Sequence, residues 1–67
     1  MAISELSTVI AKHIVSFDPF ALDGMTFAEL ESSVQDELRS RDGVAYYCNF
    51  FDMTGNTVLS DELIKLF

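Results

Sequence analysis

An apolar stripe at helical spacing is the feature that most limits how this chain can fold. Its members recur at intervals of three, four and four residues: Phe27, Leu30, Val34 and Leu38. Side chains at this spacing lie on one face of an α-helix and alternate between the two faces of a strand. The stripe therefore predicts an amphipathic helix, and we expect Leu30 and Val34 to be buried in the core.

Two helix-start signals compete just before this stripe. Thr26 and Glu29 have the spacing of a capping box, in which each side chain bonds the backbone N–H of the other residue. Asp23 could instead cap a helix that begins at Gly24. The other faces of the predicted helix are acidic, with Glu29, Glu31, Asp36 and Glu37. The sequence leaves the choice of start open.

Two further helices are predicted at the ends of the chain. Residues 3–15 carry an apolar face, and the Asp18-Pro19 pair ends it because proline disfavours a helical conformation in the preceding residue. Gly43 is expected to terminate the second helix. Ser60 is expected to cap a short last helix. The apolar side of that last helix would consist of Leu63, Ile64, Leu66 and Phe67.

Residues 44–59 leave two structures open. Their aromatic side chains favour a strand, and residues 54–56 could turn it into a hairpin with residues 57–59. The same stretch could be a buried irregular loop with one short helical turn. The sequence thus predicts a mainly α fold of three to four helices, with a short β-hairpin in 44–59 as the open element.

Length and cysteine content limit the domain count and the environment. The 67 residues are enough for one small acidic domain, spanning residues 1–67. Cys48 is the only cysteine, which excludes an internal disulfide and fits a reducing cytoplasm. No apolar run is long enough to span a membrane, and no basic leader precedes the first apolar positions. We expect a cytoplasmic protein without membrane contact.

The charge of the chain is strongly negative. Eleven acids against four bases give a net charge of −7, and residues 13–38 contain no lysine or arginine. A phosphate backbone is bound through clustered basic side chains, so this charge opposes direct binding of nucleic acid. It favours a partner protein with a basic surface.

The sequence offers no catalytic set. His13, the only histidine, lies within the first predicted helix and away from any serine or cysteine motif. Cys48 lies in an aromatic run and is expected to be a buried structural thiol. Residues 52–63 have the length of a calcium loop but place Thr57 and Leu63 where that loop needs glycine and a bidentate glutamate. We expect no enzyme activity, no metal and no cofactor.

The stretch LDGMTFAEL, residues 22–30, resembles the recognition helix of acyl and peptidyl carrier proteins. That family has Asp-Ser-Leu, then three residues of which the last is often small or aliphatic, and then Glu-Leu. Here the corresponding residues are Asp23-Gly24-Met25 and then Glu29-Leu30. The resemblance implies a small carrier-protein-like helical bundle.

The resemblance continues on both sides of this motif, but it departs from the family at the attachment site. Residues 17–22 are similar to the family's Phe-x-x-Leu-Gly-Leu approach, and Val34 and Leu38 occupy its apolar positions. The loop before the second helix is shorter than in ordinary carriers. Gly24 stands where the family has the serine that receives phosphopantetheine, so no phosphodiester can form there.

The function implied by this resemblance is non-catalytic docking onto the basic surface of a partner enzyme, in a biosynthetic pathway. The docking face would consist of Asp23, Met25, Glu29, Glu31 and Asp36. The alternative is a small acidic inhibitor of phage type, or a DNA mimic, that blocks a nucleic-acid-binding enzyme. A winged-helix DNA binder would also have two helices and a hairpin, but the charge has the wrong sign for it.

Overall fold

Within residues 1–66, four α-helices form a small bundle. A computed structural model describes residues 1–66. The helices are α1 (Ile3–Phe17), α2 (Phe27–Glu37), α3 (Arg41–Met53) and α4 (Thr57–Ile64). No strand occurs within residues 1–66. The predicted mainly α class is therefore confirmed, with four helices.

All four helices contribute to one apolar core. α1 packs chiefly on α2, and α3 packs chiefly on α4. Phe51 of α3 is the largest of the fully buried side chains within residues 1–66. The other buried apolar residues are Leu6, Ile10, Ala11, Leu30, Val34, Leu38, Val44, Tyr47, Leu59 and Leu63. Because each helix buries one stripe in this shared core, tertiary packing holds helices that would be too short to persist alone.

The apolar stripe of α2 packs inward as predicted. Leu30, Val34 and Leu38 are all buried, and Phe27 packs partly buried against the same core. The prediction that Leu30 and Val34 are core residues is confirmed. The inward stripe also fixes which acidic side chains of α2 point outward.

The capping box supplies the start of α2. The Thr26 hydroxyl oxygen accepts from the Glu29 backbone N–H at 3.2 Å, and the Glu29 carboxylate accepts from the Thr26 backbone N–H at 3.2 Å. Asp23 lies in the turn before this cap, so of the two start signals the Thr26 signal is the one used. The two reciprocal bonds satisfy backbone donors that the first helical turn leaves unpaired.

The hairpin predicted in residues 44–59 is wrong, because most of this stretch is α3. Ser40 caps α3, and its hydroxyl oxygen accepts from the Gly43 backbone N–H at 3.1 Å. The inward residues recur at intervals of three and four: Val44, Tyr47 and Phe51. Aromatic residues favour strands only where a pleated surface is available to pack on, and here a helical face buries them better.

The start of α4 also differs from the prediction. Asn56 is the N-cap, and its side-chain oxygen accepts from the Leu59 backbone N–H at 3.3 Å. Ser60, predicted to be the cap, is buried inside the helix. The helix therefore begins one turn earlier than the Ser60 signal indicated.

The predicted apolar side of the last helix is confirmed only in part. Leu63 is buried and Leu66 is partly buried against the core. Ile64 is exposed. Phe67 lies outside the described residues. The buried residues of α4 are Leu59, Ser60 and Leu63, so its inward side lies one turn earlier than predicted.

The corner between α2 and α3 needs a glycine. α2 ends at Glu37, and Gly43 lies in the first turn of α3 instead of terminating α2. A Cβ on Gly43 would overlap the Glu37 carbonyl oxygen. That carbonyl also accepts from the Ser40 backbone N–H at 3.2 Å and from the Ser40 hydroxyl at 3.1 Å. The two helices approach so closely here that no side chain fits.

Replacing Gly43 should therefore loosen this corner. We expect Gly43→Ala to lower the free energy of unfolding by roughly 1–3 kcal/mol, because the overlap with backbone outweighs the better helix propensity of alanine. Urea unfolding measures this change. Asn49→Ala, at an exposed position of the same helix, is the control and should stay within about 0.5 kcal/mol of the parent. Equal stability of the two variants would contradict the close approach.

Candidate functional site

The five residues predicted to bind a partner do not share one face. Glu29 and Asp36 are seven residues apart, two helical turns, and both are exposed on the outward side of α2. Asp23 is exposed in the turn before the helix. Met25 packs partly buried against the core. Glu31 is half-buried beside α1.

Glu31 connects two helices within the fold. Its carboxylate accepts from the Thr8 hydroxyl of α1 at 2.6 Å. Glu31 follows Glu29 by two positions, and side chains so spaced point to different sides of a helix. Glu31 therefore contributes to α1–α2 packing, and its carboxylate is less available to a partner than that of Glu29.

Of the five predicted residues, three have exposed carboxylates: Asp23, Glu29 and Asp36, here called the outer carboxylates. The Glu29 carboxylate also accepts from the Thr26 hydroxyl at 3.1 Å, and Asp36 lies 3.3 Å from the Arg39 guanidinium. The Arg39–Asp36 contact is at the surface, where an ion pair is worth only about 0–1 kcal/mol. Asp36 can thus exchange its contact for a basic partner at little cost. Both cap bonds of Glu29 use Oε1, which leaves Oε2 for a partner without loss of the cap.

Gly24 has a backbone conformation that would be strained for a serine. It lies in the turn two residues before the Thr26 cap, with φ of +82°. A Cβ at this position would meet no atom within 4 Å. The position that corresponds to the carrier serine is therefore open to solvent. Its backbone is in the left-handed region, which costs residues with a side chain about 1–2 kcal/mol.

An apolar groove between the end of α1 and α3 was not predicted from the sequence. Its volume is about 200 Å³. The groove, here called the aromatic groove, is lined by Ile14, Phe17, Asp18, Tyr46, Tyr47 and Phe50. Phe17 and Tyr46 are 61% and 64% exposed. The sequence feature that could have revealed the groove is the four-residue spacing of Tyr46 and Phe50. This spacing places both rings on one face only if the segment is helical.

Tyr47 forms the inner wall of the aromatic groove and is held neutral. Burial is the main cause that raises the pKa of its phenol, and the Glu37 carboxylate adds to it as a nearby negative charge and hydrogen-bond acceptor. A neutral phenol can donate a hydrogen bond at physiological pH. Ionising it would place two negative charges side by side in a partly dry environment.

His13 and Cys48 have structural surroundings. The half-buried His13 ring packs edge-on against Phe51 with centroids 5.6 Å apart. The Cys48 thiol lies 3.8 Å from the Ser60 carbonyl oxygen, and burial followed by the Asp52 charge raises its pKa. A raised pKa leaves the thiol protonated and weakly nucleophilic. Within residues 1–66, no three side chains of His, Cys, Asp and Glu converge as metal ligands would.

Comparison with known proteins gives no relative for this chain. No protein-family model, no curated protein and no solved structure matches it. Among the described helices, none has the length and apolar character needed to cross a membrane.

The raised pKa of Tyr47 makes stability fall at alkaline pH. An unfolded tyrosine ionises near pH 10, so the contribution of Tyr47 is fully present below about pH 10 and is lost as pH rises further. We expect the unfolding free energy of the parent to fall more steeply above about pH 10 than that of Tyr47→Phe. The difference in slope should approach about 1.4 kcal/mol per pH unit. Urea unfolding at several alkaline pH values measures it.

The exposed neighbour provides the control for this experiment. Tyr46→Phe removes the other phenol, which is 64% exposed, and should retain most of the steep fall because burial is the main cause of the raised pKa of Tyr47. Parallel pH profiles for the parent and Tyr47→Phe would contradict the assignment to Tyr47.

Proposed function

We propose that this protein is a non-catalytic binding protein that docks its acidic second helix onto the basic surface of a partner enzyme. The observation that carries the proposal is the exposure of the outer carboxylates on and beside the outward side of α2. The capping box holds the start of that helix in a fixed geometry. A rigid acidic face of this kind binds with little loss of conformational entropy.

Charge supports the same proposal. Six of the eleven acids lie in residues 13–38, which contain no lysine or arginine. A one-signed surface accelerates the encounter with an oppositely charged partner and makes the association depend on salt. The proposed complex is therefore an electrostatically steered one.

The docking mode follows that of the acyl and peptidyl carrier proteins that residues 17–38 resemble. In this proposal the protein has the docking helix of a carrier without the attached group, because Gly24 has no hydroxyl to accept it. The partner would then be an enzyme of a biosynthetic pathway. Recruitment or scaffolding of that enzyme is the activity proposed.

Site-directed crosslinking can identify the partner. A photo-crosslinking residue at Ser32 lies on the exposed side of α2, and the same residue at Asn49 of α3 is the control. A basic protein captured from an extract at Ser32, and not at Asn49, would be purified for binding measurements. Capture of a nucleic-acid-binding enzyme would favour the alternative function, an inhibitor or DNA mimic.

Removing two outer charges should weaken binding to that partner. We expect Glu29→Gln/Asp36→Asn to raise the Kd about tenfold at low salt, since each exposed charge contributes up to about 1 kcal/mol. The salt dependence of Kd should become shallower as well. Glutamine can replace glutamate in a capping box, so the variant keeps the start of α2.

The control is a variant with the same change in net charge elsewhere. Asp52→Asn/Asp61→Asn alters exposed residues of α3 and α4. Isothermal titration calorimetry at several salt concentrations compares the two variants. An equal loss of affinity in both would show that total charge matters and that α2 is not the docking helix.

The carrier part of the proposal has its own test. We expect a promiscuous phosphopantetheinyl transferase with coenzyme A to leave the parent unmodified and to add one phosphopantetheine to Gly24→Ser, as intact mass would show. The solvent-open position gives the enzyme access, while the left-handed backbone should lower stability by about 1–2 kcal/mol.

Gly55 supplies a matched control. It has the same φ of +82° and the same open surroundings, but it lies between α3 and α4. Gly55→Ser should remain unmodified. A folded Gly24→Ser that gains no mass would exclude the carrier kinship and leave acidic docking to the binding experiment. Modification of the parent would show that another residue is used.

A further inference from the structure

The size of the aromatic groove fits one side chain. Its volume of about 200 Å³ is below the roughly 300–1,000 Å³ of pockets that enclose small-molecule ligands. It is open to solvent between two helices, and its lining contains no lysine, arginine or histidine. A single long side chain from another molecule is an occupant of the right size.

The walls of the groove suit a cation with an apolar stem. The rings of Phe17 and Phe50 pack edge to face with their centroids 5.7 Å apart. The rings of Tyr46 and Tyr47 do the same with their centroids 5.2 Å apart. Aromatic faces carry negative charge density and attract cations. Ile14 adds an aliphatic surface on which a methylene stem can pack.

The rim of the groove is negative. Asp18 lines it, and one carboxylate oxygen of Asp18 accepts from the Phe20 backbone N–H at 3.0 Å. That bond uses Oδ1, which leaves the second carboxylate oxygen, Oδ2, for a ligand. A basic group can pair with it without displacing an existing contact.

The end of α1 adds to this negative potential. The C-terminal end of a helix carries partial negative charge, and the last turn of α1 has no basic residue to offset it. Pro19 has no N–H, so it cannot donate to the Val15 carbonyl four residues earlier. Three features therefore favour a cation at the same place: aromatic rings, the Asp18 carboxylate and the end of α1.

We propose that the aromatic groove binds an arginine side chain presented by the basic surface of the partner. The arginine stem packs on Ile14 and Phe50, and its guanidinium stacks on an exposed ring and pairs with Asp18. A planar guanidinium stacks on rings and bonds a carboxylate through two N–H groups, which a lysine ammonium cannot do. This inference rests on the proposed function only for the source of the arginine.

Short peptides test the groove directly, without the partner. The probes are acetyl-Gly-Arg-Gly-amide and the same peptide with lysine or norleucine in the central position. Each is titrated into the ¹⁵N-labelled full chain at low salt and followed by NMR. We expect saturable shifts at the groove amides with the arginine peptide, about threefold weaker binding of lysine and about tenfold weaker binding of norleucine.

Variants assign the contacts. Asp18→Asn keeps an oxygen for the Phe20 N–H and should weaken arginine binding about threefold, whereas Asp52→Asn on α3 should leave it unchanged. Tyr46→Ala should weaken binding by a similar factor, and Tyr46→Phe should retain it because the ring face is what matters. Spectra of the free variants confirm that each is folded.

Three outcomes would overturn the proposal. Norleucine binding as tight as arginine, unaffected by Asp18→Asn, would make the groove a site for an apolar anchor. Groove shifts that depend on protein concentration without peptide would show that a second copy covers it. An absence of shifts at saturating peptide would mean that there is no site. Glu29→Gln/Asp36→Asn should leave peptide binding unchanged, so failure here is distinguishable from failure of docking by α2.

Discussion

Burial of Phe51 in the shared core is the constraint on which the rest of the structure depends. This ring is fully buried, and no disulfide reinforces a chain of this size. A domain of about 60 residues buries only about 60% of its unfolded surface, so its few large inward side chains carry much of its stability. Placing Phe51 inward sets the register of α3. In that register Tyr47 also points inward, while Tyr46 and Phe50 line the aromatic groove.

The surface that results is negative because eleven acids outnumber four bases, and two of those bases pair with neighbouring carboxylates. Arg39 lies beside Asp36, and Lys65 beside Glu62, each with a separation of 3.3 Å. The Glu62 carboxylate also accepts a hydrogen bond from the Met1 ammonium at 3.1 Å. The contacts with Met1 and Lys65 lower the pKa of Glu62. Such pairs contribute little to stability at the surface. Outside these pairs, the carboxylates of Asp18, Asp23 and Glu29 are exposed. Both proposed contacts therefore call for a basic partner.

The two proposed contacts differ in what they contribute to recognition. Exposed carboxylates act over a distance comparable with the Debye length, so they affect chiefly the rate and salt dependence of encounter. The aromatic groove acts only at contact, where one side chain enters it. A desolvated anchor of this kind governs dissociation more than association. Together they describe a binding surface in which charge brings the partner close and the groove holds it.

The sequence by itself determined the features that depend on neighbouring residues. Spacing within one helix predicted the inward stripe of α2 and the capping box of Thr26 and Glu29. Composition alone gave the negative charge. Tertiary structure decided the features that require distant residues. Glu31 turned out to bond Thr8, which lies 23 positions away, so its role could not be separated from that of Glu29 by spacing alone. The aromatic run of α3 was compatible with a strand or a loop until the core supplied a helical face for Phe51, because β-propensity depends on the surface against which a side chain packs. The aromatic groove followed from that choice, since its lining comes from two helices that are not adjacent in the chain.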